Sequence, residues 1–215
     1  MKRNNQKTSM IRTREAGFSL IEVFVVATII GVLTAVTIPQ LAGQRRLHRS
    51  SAVTREIVTQ IRYARQKAMA ERCSFTFQYN NTTKAITIID NNASGATVLN
   101  DSNYPNNTGS AVVLTSSLTQ MGLPSSEISY GIPTGLPTTA LSDGVSKTSL
   151  TSSKVNITFQ PNGSVVDANG NPIDIGLFMY NNKIANDTAS AITVLGAAGR
   201  IKLWKYDSTS NTYKE

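Results

Sequence analysis

Residues 17–39 decide the fold, and they read GFSLIEVFVVATIIGVLTAVTIP. The 21 residues from 18 to 38 carry one ionisable side chain, Glu22. As an α-helix they would extend about 30 Å, which is the thickness of the hydrocarbon core of a bilayer. A removable secretory signal has a shorter apolar region, of about 7–15 residues, followed by its cleavage site. Here a basic segment that ends in Gly17 precedes the apolar run, so the sequence predicts that the leader is removed and the apolar helix remains.

Glu22 is unusual, because a carboxylate inside a membrane is costly. At the centre of a membrane helix the cost is about 2.5–3.5 kcal/mol, and it is lower near the interface, so such a residue normally has a partner. Cleavage after Gly17 would create a positively charged amino group on Phe18, one helical turn from Glu22. That amine, in this chain or in a neighbouring one, would neutralise the carboxylate. The alternative is a Glu22 side chain that reaches to the membrane interface.

The string from Gly17 to Glu22, GFSLIE, followed by an unbroken apolar helix, resembles the N-terminal signal of type IV pilins and type II secretion pseudopilins. The resemblance implies that a prepilin peptidase cleaves after Gly17 and methylates Phe18. It also implies that Glu22 pairs with a subunit's N-terminus during filament assembly. The implied location is the bacterial inner membrane, crossed once, with the N-terminus cytoplasmic and the C-terminal domain periplasmic. The implied partners are the peptidase, other pilins or pseudopilins, and membrane lipid.

The resemblance and the hydrophobic pattern divide the chain into four parts. Residues 1–17 are the leader, with Met1 and Met10 both open as its start, and residues 18–39 are the transmembrane part of a helix. Residues 40–72 are its amphipathic part, in which one apolar stripe recurs at steps of three and four residues: Val53, Ile57, Ile61, Ala64 and Ala68. Residues 73–215 are a β-rich globular domain. A bend is expected at Pro39.

The other faces of the amphipathic part are basic. They carry Arg45, Arg46, Arg49, Arg55, Arg62, Arg65, Lys67 and Arg72. The favoured interpretation is a solvated helix face, and the alternative is contact with lipid headgroups or with neighbouring helices. The net charge of +8 divides into +4 for residues 1–17, +5 for 18–72 and −1 for 73–215. The basic pI therefore comes from the leader and the helix, and it is weak support for nucleic-acid binding.

The chain offers few residues for chemistry. It has one cysteine, Cys73, which excludes an internal disulfide and is expected to be partly buried where the helix ends. Its one histidine, His48, has no partner histidine for a metal or catalytic site. We therefore predict a protein that is not an enzyme, with no cofactor and no metal site.

After residue 72 the periodicity changes from that of a helix to that of strands. Residues 74–79 and 84–89 alternate and predict a hairpin, and further strands are predicted at 155–160, 164–167, 175–180, 191–195 and 200–206. Residues 90–150 predict irregular loops with short runs at 111–115 and 128–130. The predicted fold class is α+β: a long N-terminal helix, half transmembrane and half amphipathic, packed on an antiparallel β-sheet domain, pilin-like.

Two segments are similar to the GspH/FimT branch of this family. The end of the helix carries Ala64, Arg65 and Ala68 at that branch's spacing, although Glu71 occupies the place of its last arginine. The strand that begins Gly199-Arg200 resembles the one that closes GspH/FimT domains, where basic residues of DNA-uptake members contact DNA. The resemblance thus points to Arg200, Lys202 and Lys205 as DNA-binding residues.

The residues of that strand fit either of two interpretations. Basic side chains would pair with phosphates, and the interleaved aromatic residues Trp204 and Tyr206 would stack on bases. The favoured alternative is an ordinary strand, with Ile201, Leu203 and the stem of Lys205 facing the core and Arg200, Lys202 and Trp204 facing solvent.

A further segment, from Asp167 to Asp174, has oxygen side chains at alternating positions, as in a calcium loop. It lacks the glycine and the final glutamate that an EF-hand needs, so we interpret it as a hairpin turn.

For the whole chain, the function predicted is that of a minor pilin or pseudopilin in a type II secretion pseudopilus or a type IV pilus, near the tip, where it primes assembly or contacts secreted cargo. The alternative is a DNA-binding minor pilin for natural transformation.

Overall fold

The structure is a computed structural model that describes residues 19–91, 112–138, 140–167 and 169–215, except for the side chains of 38–42. Its first element is a helix of 52 residues, α1, from Leu20 to Glu71. The carbonyl of Ser19 accepts the N–H groups of Glu22 and Val23, at 3.0 and 3.2 Å, which starts the helix. The bend expected at Pro39 is not tested, because its side chain lies outside the described residues.

The first part of α1 is apolar and exposed. Among the described residues, Leu20–Thr37 is the one helical stretch long and apolar enough to cross a membrane, in agreement with the predicted span. Its three threonine side chains are satisfied within the helix, since the hydroxyls of Thr28, Thr34 and Thr37 each donate to the carbonyl four residues earlier at 2.8 Å. A hydroxyl bonded in this way can be placed in an apolar environment at low cost.

Residues 44–215 form one compact unit, and the amphipathic part of α1 is its central element. The predicted apolar stripe is confirmed, because all five of its residues are buried: Val53, Ile57, Ile61, Ala64 and Ala68. The two alanines lie where the helix meets the sheets, and larger side chains would not fit a fully buried position there. Cys73 is half-buried just after the helix ends, as expected.

In the described part of the chain, ten strands form two antiparallel sheets of five. The first sheet has the order β3-β2-β1-β5-β6 and contains β1 (Phe75–Asn80), β2 (Ala85–Asp90), β3 (Val112–Ser117), β5 (Lys154–Phe159) and β6 (Val165–Val166). The second has the order β10-β9-β8-β7-β4 and contains β4 (Ile128–Tyr130), β7 (Ile175–Asn181), β8 (Ser190–Leu195), β9 (Arg200–Asp207) and β10 (Thr212–Lys214). Short helices lie at Leu118–Met121, Ser125–Glu127 and Ala185–Thr188, and the last of these is α2. The α+β class is confirmed.

The predicted strands agree with the structure to within about two residues at each end, as expected for such boundaries. The β1–β2 hairpin is confirmed, with Phe75 opposite Asp90 and Asn80 opposite Ala85. The sequence pattern did not reveal β10 or the short helices, because three or four residues are too few for a period to be read. Of the loop region predicted at 90–150, residues 92–111 and 139 lie outside the described residues.

Alternation along β7 separates two apolar clusters. Leu177 and Met179 face the main core, which contains the stripe of α1 and inward residues of both sheets. Phe178 faces the other way and packs with Leu141, Ala191 and Trp204 in a smaller cluster. Strands β7 and β8 are therefore buried on both faces, which explains their nearly continuous apolar sequences.

The segment predicted as a turn after β6 is a turn. One carboxylate oxygen of Asp167 accepts the backbone N–H groups of Asn169 and Asn171, at 2.9 and 2.8 Å. Gly170 supplies the positive φ of +84° that the turn needs. The Asp167 carboxylate thus organises the backbone of its own loop.

Candidate functional site

The two predicted processing residues, Gly17 and Phe18, lie outside the described residues. Glu22 lies in the first turn of α1, and its side chain is exposed. A carboxylate at that position interacts favourably with the N-terminal end of the helix dipole. Its predicted role in assembly stays a prediction.

The structure separates the three basic residues predicted on β9. Arg200 and Lys205 line cavities against α1, whereas Lys202 lies elsewhere. Its Nζ is 2.7 Å from Oε2 of Glu215 and 4.8 Å from the centre of the Trp204 ring. The side chain of Lys202 is 14% exposed, so its charge is largely occupied inside the chain.

The predicted environment of Trp204 is wrong. The residue is 4% exposed, and its Nε1 donates to Oγ1 of Thr193 at 2.9 Å. The face of β9 that carries Trp204 is covered by the smaller apolar cluster, which the strand's own alternation could not show. Ile201 and Leu203 pack against the main core, as predicted. Lys205 is exposed and lines the smaller of these cavities together with Leu203.

A basic groove lies between the outer face of α1 and β9. Its larger cavity, of about 420 Å³, is lined by Arg62, Arg65, Gln66, Met69, Ala198, Arg200 and Ile201. A smaller cavity, of about 190 Å³, lies further toward the start of α1, and its lining includes Arg55, Asp187, Leu203 and Lys205. We call the two cavities together the α1–β9 groove.

Charge in the groove is strongly one-sided. The residues that line the larger cavity include three arginines and no acid, and those that line the smaller one include Asp187 as their single acid. Cations that converge on a concave surface attract anionic ligands, because the low-dielectric walls focus their field. The geometry therefore suits an acidic or phosphate-bearing partner.

Arg65 has a structural function within this groove. Its Nε donates to the carbonyl of Gly163 at 3.2 Å, and its Nη2 donates to the carbonyl of Ala198 at 3.0 Å. It therefore ties α1 to two turns that lie far away in the sequence. Arg62 and Arg200 have no hydrogen bond or ion pair to a protein group in the described part of the chain, so their charges are available to a ligand.

The turn before β9 requires glycine. Gly199 has a φ of +58°, and a Cβ built on it would lie 1.8 Å from the carbonyl oxygen of Gly163. The same carbonyl accepts the hydrogen bond from Arg65. Gly199, Gly163 and Arg65 thus form one packed unit, which gives a physical reason for the arginine near the end of the helix and for the Gly-Arg start of the strand.

Sequence reasoning missed Arg55 and Arg62 as members of this site, because it assigned them to a solvated helix face. A signal for them exists: Arg55, Arg62 and Met69 recur at steps of seven residues and so share one helix face. Most of the basic series is exposed, as predicted. The two exceptions are Arg65 and Lys67, which are half-buried. Lys67 pairs with Glu71, and the exposed Arg46 lies 3.6 Å from Glu127.

Three potential metal ligands come together where α1 ends. Glu71, Cys73 and Asp90 have ligand atoms within 4.8 Å of one another. The ammonium group of Lys67 already bonds the carboxylate of Glu71. Burial, followed by the nearby charges of Asp90 and Glu71, raises the pKa of the Cys73 thiol, which keeps it protonated and a poor ligand. We do not assign a metal to this cluster.

No protein-family model matches this chain, and no curated protein matches it. Two solved structures are similar to it, both crystal structures of the type IV minor pilin FimU from Pseudomonas aeruginosa, in two crystal forms. Each is 17% identical over 77% of this chain, which covers 92% and 97% of the two FimU chains. The TM-scores are 0.44 and 0.43. Function must therefore be argued from the residues of this chain.

Proposed function

We propose that this chain is a minor pilin or pseudopilin, a structural subunit of a type II secretion pseudopilus or a type IV pilus. Prepilin peptidase removes residues 1–17 and methylates Phe18. The apolar half of α1 then anchors the subunit in the inner membrane, with residues 44–215 on the periplasmic side. During assembly this half moves from lipid into a bundle of neighbouring subunits, and the β domain lies at or near the tip of the filament.

The observation that carries the proposal is the composition of one continuous helix. α1 runs from Leu20 to Glu71, and its stretch Leu20–Thr37 presents apolar side chains on all faces. The later part buries its stripe in a β domain. A helix of this kind holds a folded domain to a membrane and offers a long apolar surface to the helices of neighbouring subunits. In the proposed filament, the carboxylate of Glu22, in the first turn of α1, accepts a hydrogen bond from the ammonium group of a processed N-terminus.

The proposal is tested on the full-length protein extracted from membranes. We expect an intact mass and an N-terminal residue that correspond to methylated Phe18. We expect Glu22→Gln to lower the assembled fraction about tenfold or more, equivalent to about 1.4 kcal/mol, because it removes the charge but keeps the shape. The matched control is Glu71→Gln, which removes another exposed acid of α1 and should leave assembly unchanged. An unprocessed N-terminus, or assembly that is indifferent to Glu22→Gln, would contradict the proposal.

A second candidate function is DNA binding for uptake. The observation that favours it is the convergence of Arg62, Arg65 and Arg200 on a cavity without a carboxylate in its lining. Affinity for a duplex oligonucleotide should fall steeply with salt, and Arg200→Gln should reduce the salt slope by about 1. Lys202→Gln is the matched control, because Lys202 is paired with Glu215 and should not matter. Equal effects of the two substitutions would argue against the groove as a DNA site.

A further inference from the structure

The outer edge of β9 is only partly covered by β10. Pairing between them is limited to Lys205, Tyr206 and Asp207 of β9. Toward the start of β9, no other strand lies beside Ile201 and Leu203 among the residues that the structure describes. The larger cavity of the α1–β9 groove lies next to this open part of the edge, and Ile201 contributes to its lining.

The register of β9 shows which peptide groups point outward. The N–H of Tyr206 donates to the carbonyl of Ala189, on the β8 side, at 3.0 Å. Hydrogen-bonding groups alternate along an antiparallel strand, so even-numbered residues from 200 to 206 bond β8 and odd-numbered ones point the other way. The N–H and C=O groups of Lys205 and Asp207 face β10. The N–H and C=O groups of Ile201 and Leu203 point to the outer edge of the sheet, where no described strand bonds them.

We infer that this edge binds an extended, acidic peptide segment of a partner protein, which adds to the sheet as an antiparallel strand beside Ile201 and Leu203. The peptide groups of β9 would supply the main-chain hydrogen bonds, as in other cases of strand addition. Side chains of the added strand that lie opposite Ile201 and Leu203 would point to the same face as these residues, toward α1. Arg62 and Arg200 would meet carboxylates at those positions, and the side chain of Met69 would contact their stems.

A peptide fits these features better than DNA does. Main-chain donors and acceptors at strand spacing complement another strand and have no counterpart in a phosphate backbone. Non-specific binding to single strands relies on exposed aromatic side chains, but the larger cavity has none in its lining and Trp204 is buried. The inference goes beyond the filament function and is independent of it, because residues 44–215 carry the edge whether or not the leader is processed.

The experiment uses the full-length protein in detergent micelles and an acetylated, amidated probe peptide of alternating Glu and Thr. Hydrogen exchange is followed at the amides of Ile201 and Leu203. We expect saturating peptide to slow exchange at both amides about tenfold or more, equivalent to about 1.4 kcal/mol. Arg62→Gln and Arg200→Gln should weaken binding. Lys147→Gln, which removes an exposed charge away from the groove, should not.

Two N-methylated versions of the probe separate strand addition from charge attraction. If the glutamates face α1, their N–H groups point to β9, whereas the threonine N–H groups point to solvent. Methylation of the glutamate nitrogens should abolish protection, and methylation of the threonine nitrogens should leave it. Equal binding of both versions, or no protection of Ile201 and Leu203, would overturn the inference. So would binding of a DNA oligonucleotide at Arg62 and Arg200 when the peptide gives no protection.

Discussion

Gly199 shows how one residue fixes the closing turn of the domain. Two costs fall on any larger residue there: the left-handed backbone, about 1–2 kcal/mol, and the collision with the carbonyl of Gly163. We expect Gly199→Ala to lower the free energy of unfolding by about 3 kcal/mol or more, measured by urea titration in detergent. Gly144→Ala is the matched control, since Gly144 has a φ of +82° but open space around its Cβ. It should cost only about 1–2 kcal/mol. Equal losses in the free energy of unfolding for the two variants would show that the contact with Gly163 can be relieved at no energetic cost.

Tyr213 makes stability depend on pH at the alkaline end. Its ring packs edge-on against Phe178 and Tyr206, each at 5.6 Å between ring centres, and its buried hydroxyl has no hydrogen-bond partner among the residues described. Burial, with a smaller contribution from Tyr206, raises the pKa of Tyr213 to about 12. Between pH about 10 and 12 the folded state therefore retains a proton that the unfolded state loses, so stability falls as the pH rises.

We expect Tyr213→Phe to weaken this alkaline loss, measured as the free energy of unfolding from pH 7 to 12. At pH 7 the variant should be equal to wild type or up to about 1 kcal/mol more stable, because an unsatisfied buried hydroxyl is removed. Burial also raises the pKa values of Tyr79 and Tyr130 above their usual range, but both residues stay in the variant. The difference between the two proteins therefore isolates Tyr213. Identical pH profiles would show that the Tyr213 hydroxyl reaches water.

At the scale of elements, α1 carries both an apolar stretch long enough to cross a membrane and one wall of the groove. Its arginines differ in role although they look alike in sequence: Arg65 bonds two distant carbonyls, and Arg62 bonds none in the described part of the chain. We expect Arg65→Gln to lower the free energy of unfolding by about 1–3 kcal/mol, because two charge-assisted hydrogen bonds are lost at a half-buried site. Arg62→Gln should change it by less than about 0.5 kcal/mol. Urea titration of both variants checks this, and equal effects would contradict the assignment.

At the scale of the whole molecule, the two apolar clusters share strands β7 and β8. Leu177 and Phe178 are neighbours in the chain, yet they belong to different clusters, so neither cluster can be lost without the strands that hold the other. We expect residues 44–215 to unfold in one cooperative step. Fluorescence of Trp204, the only tryptophan, reports on the smaller cluster, and circular dichroism reports on the strands. Coincident urea transitions are expected, and an earlier fluorescence change would show that the smaller cluster opens separately.

Much of the architecture could be predicted because it depends on local periodicity. The apolar run before Pro39 predicted a membrane-spanning helix, and the structure has a helical stretch of suitable length and composition at Leu20–Thr37. The three- and four-residue spacing of Ile57, Ile61 and Ala64 predicted the buried face of α1. Alternation predicted most strands and the β1–β2 hairpin. In each case the side chains on one face follow from helix or strand geometry alone.

The α1–β9 groove and the roles of its residues could not be predicted from local periodicity. Lys202 and Arg200 are equivalent by strand alternation, but Lys202 is paired with Glu215 and Arg200 lines the groove. The strand pattern places Trp204 in solvent, but a second cluster covers it.

The sequence by itself therefore determined the long apolar helix, the buried stripe and the α+β class, since each depends on neighbours within a few turns or residues. Only the tertiary structure decided that the nearly neutral β domain lies beside a row of arginines from α1. It also decided that the described strands form two sheets, and that Arg65 bonds a turn 133 residues away. Contacts over such separations depend on which sheet faces pack together, and local periodicity does not encode that choice.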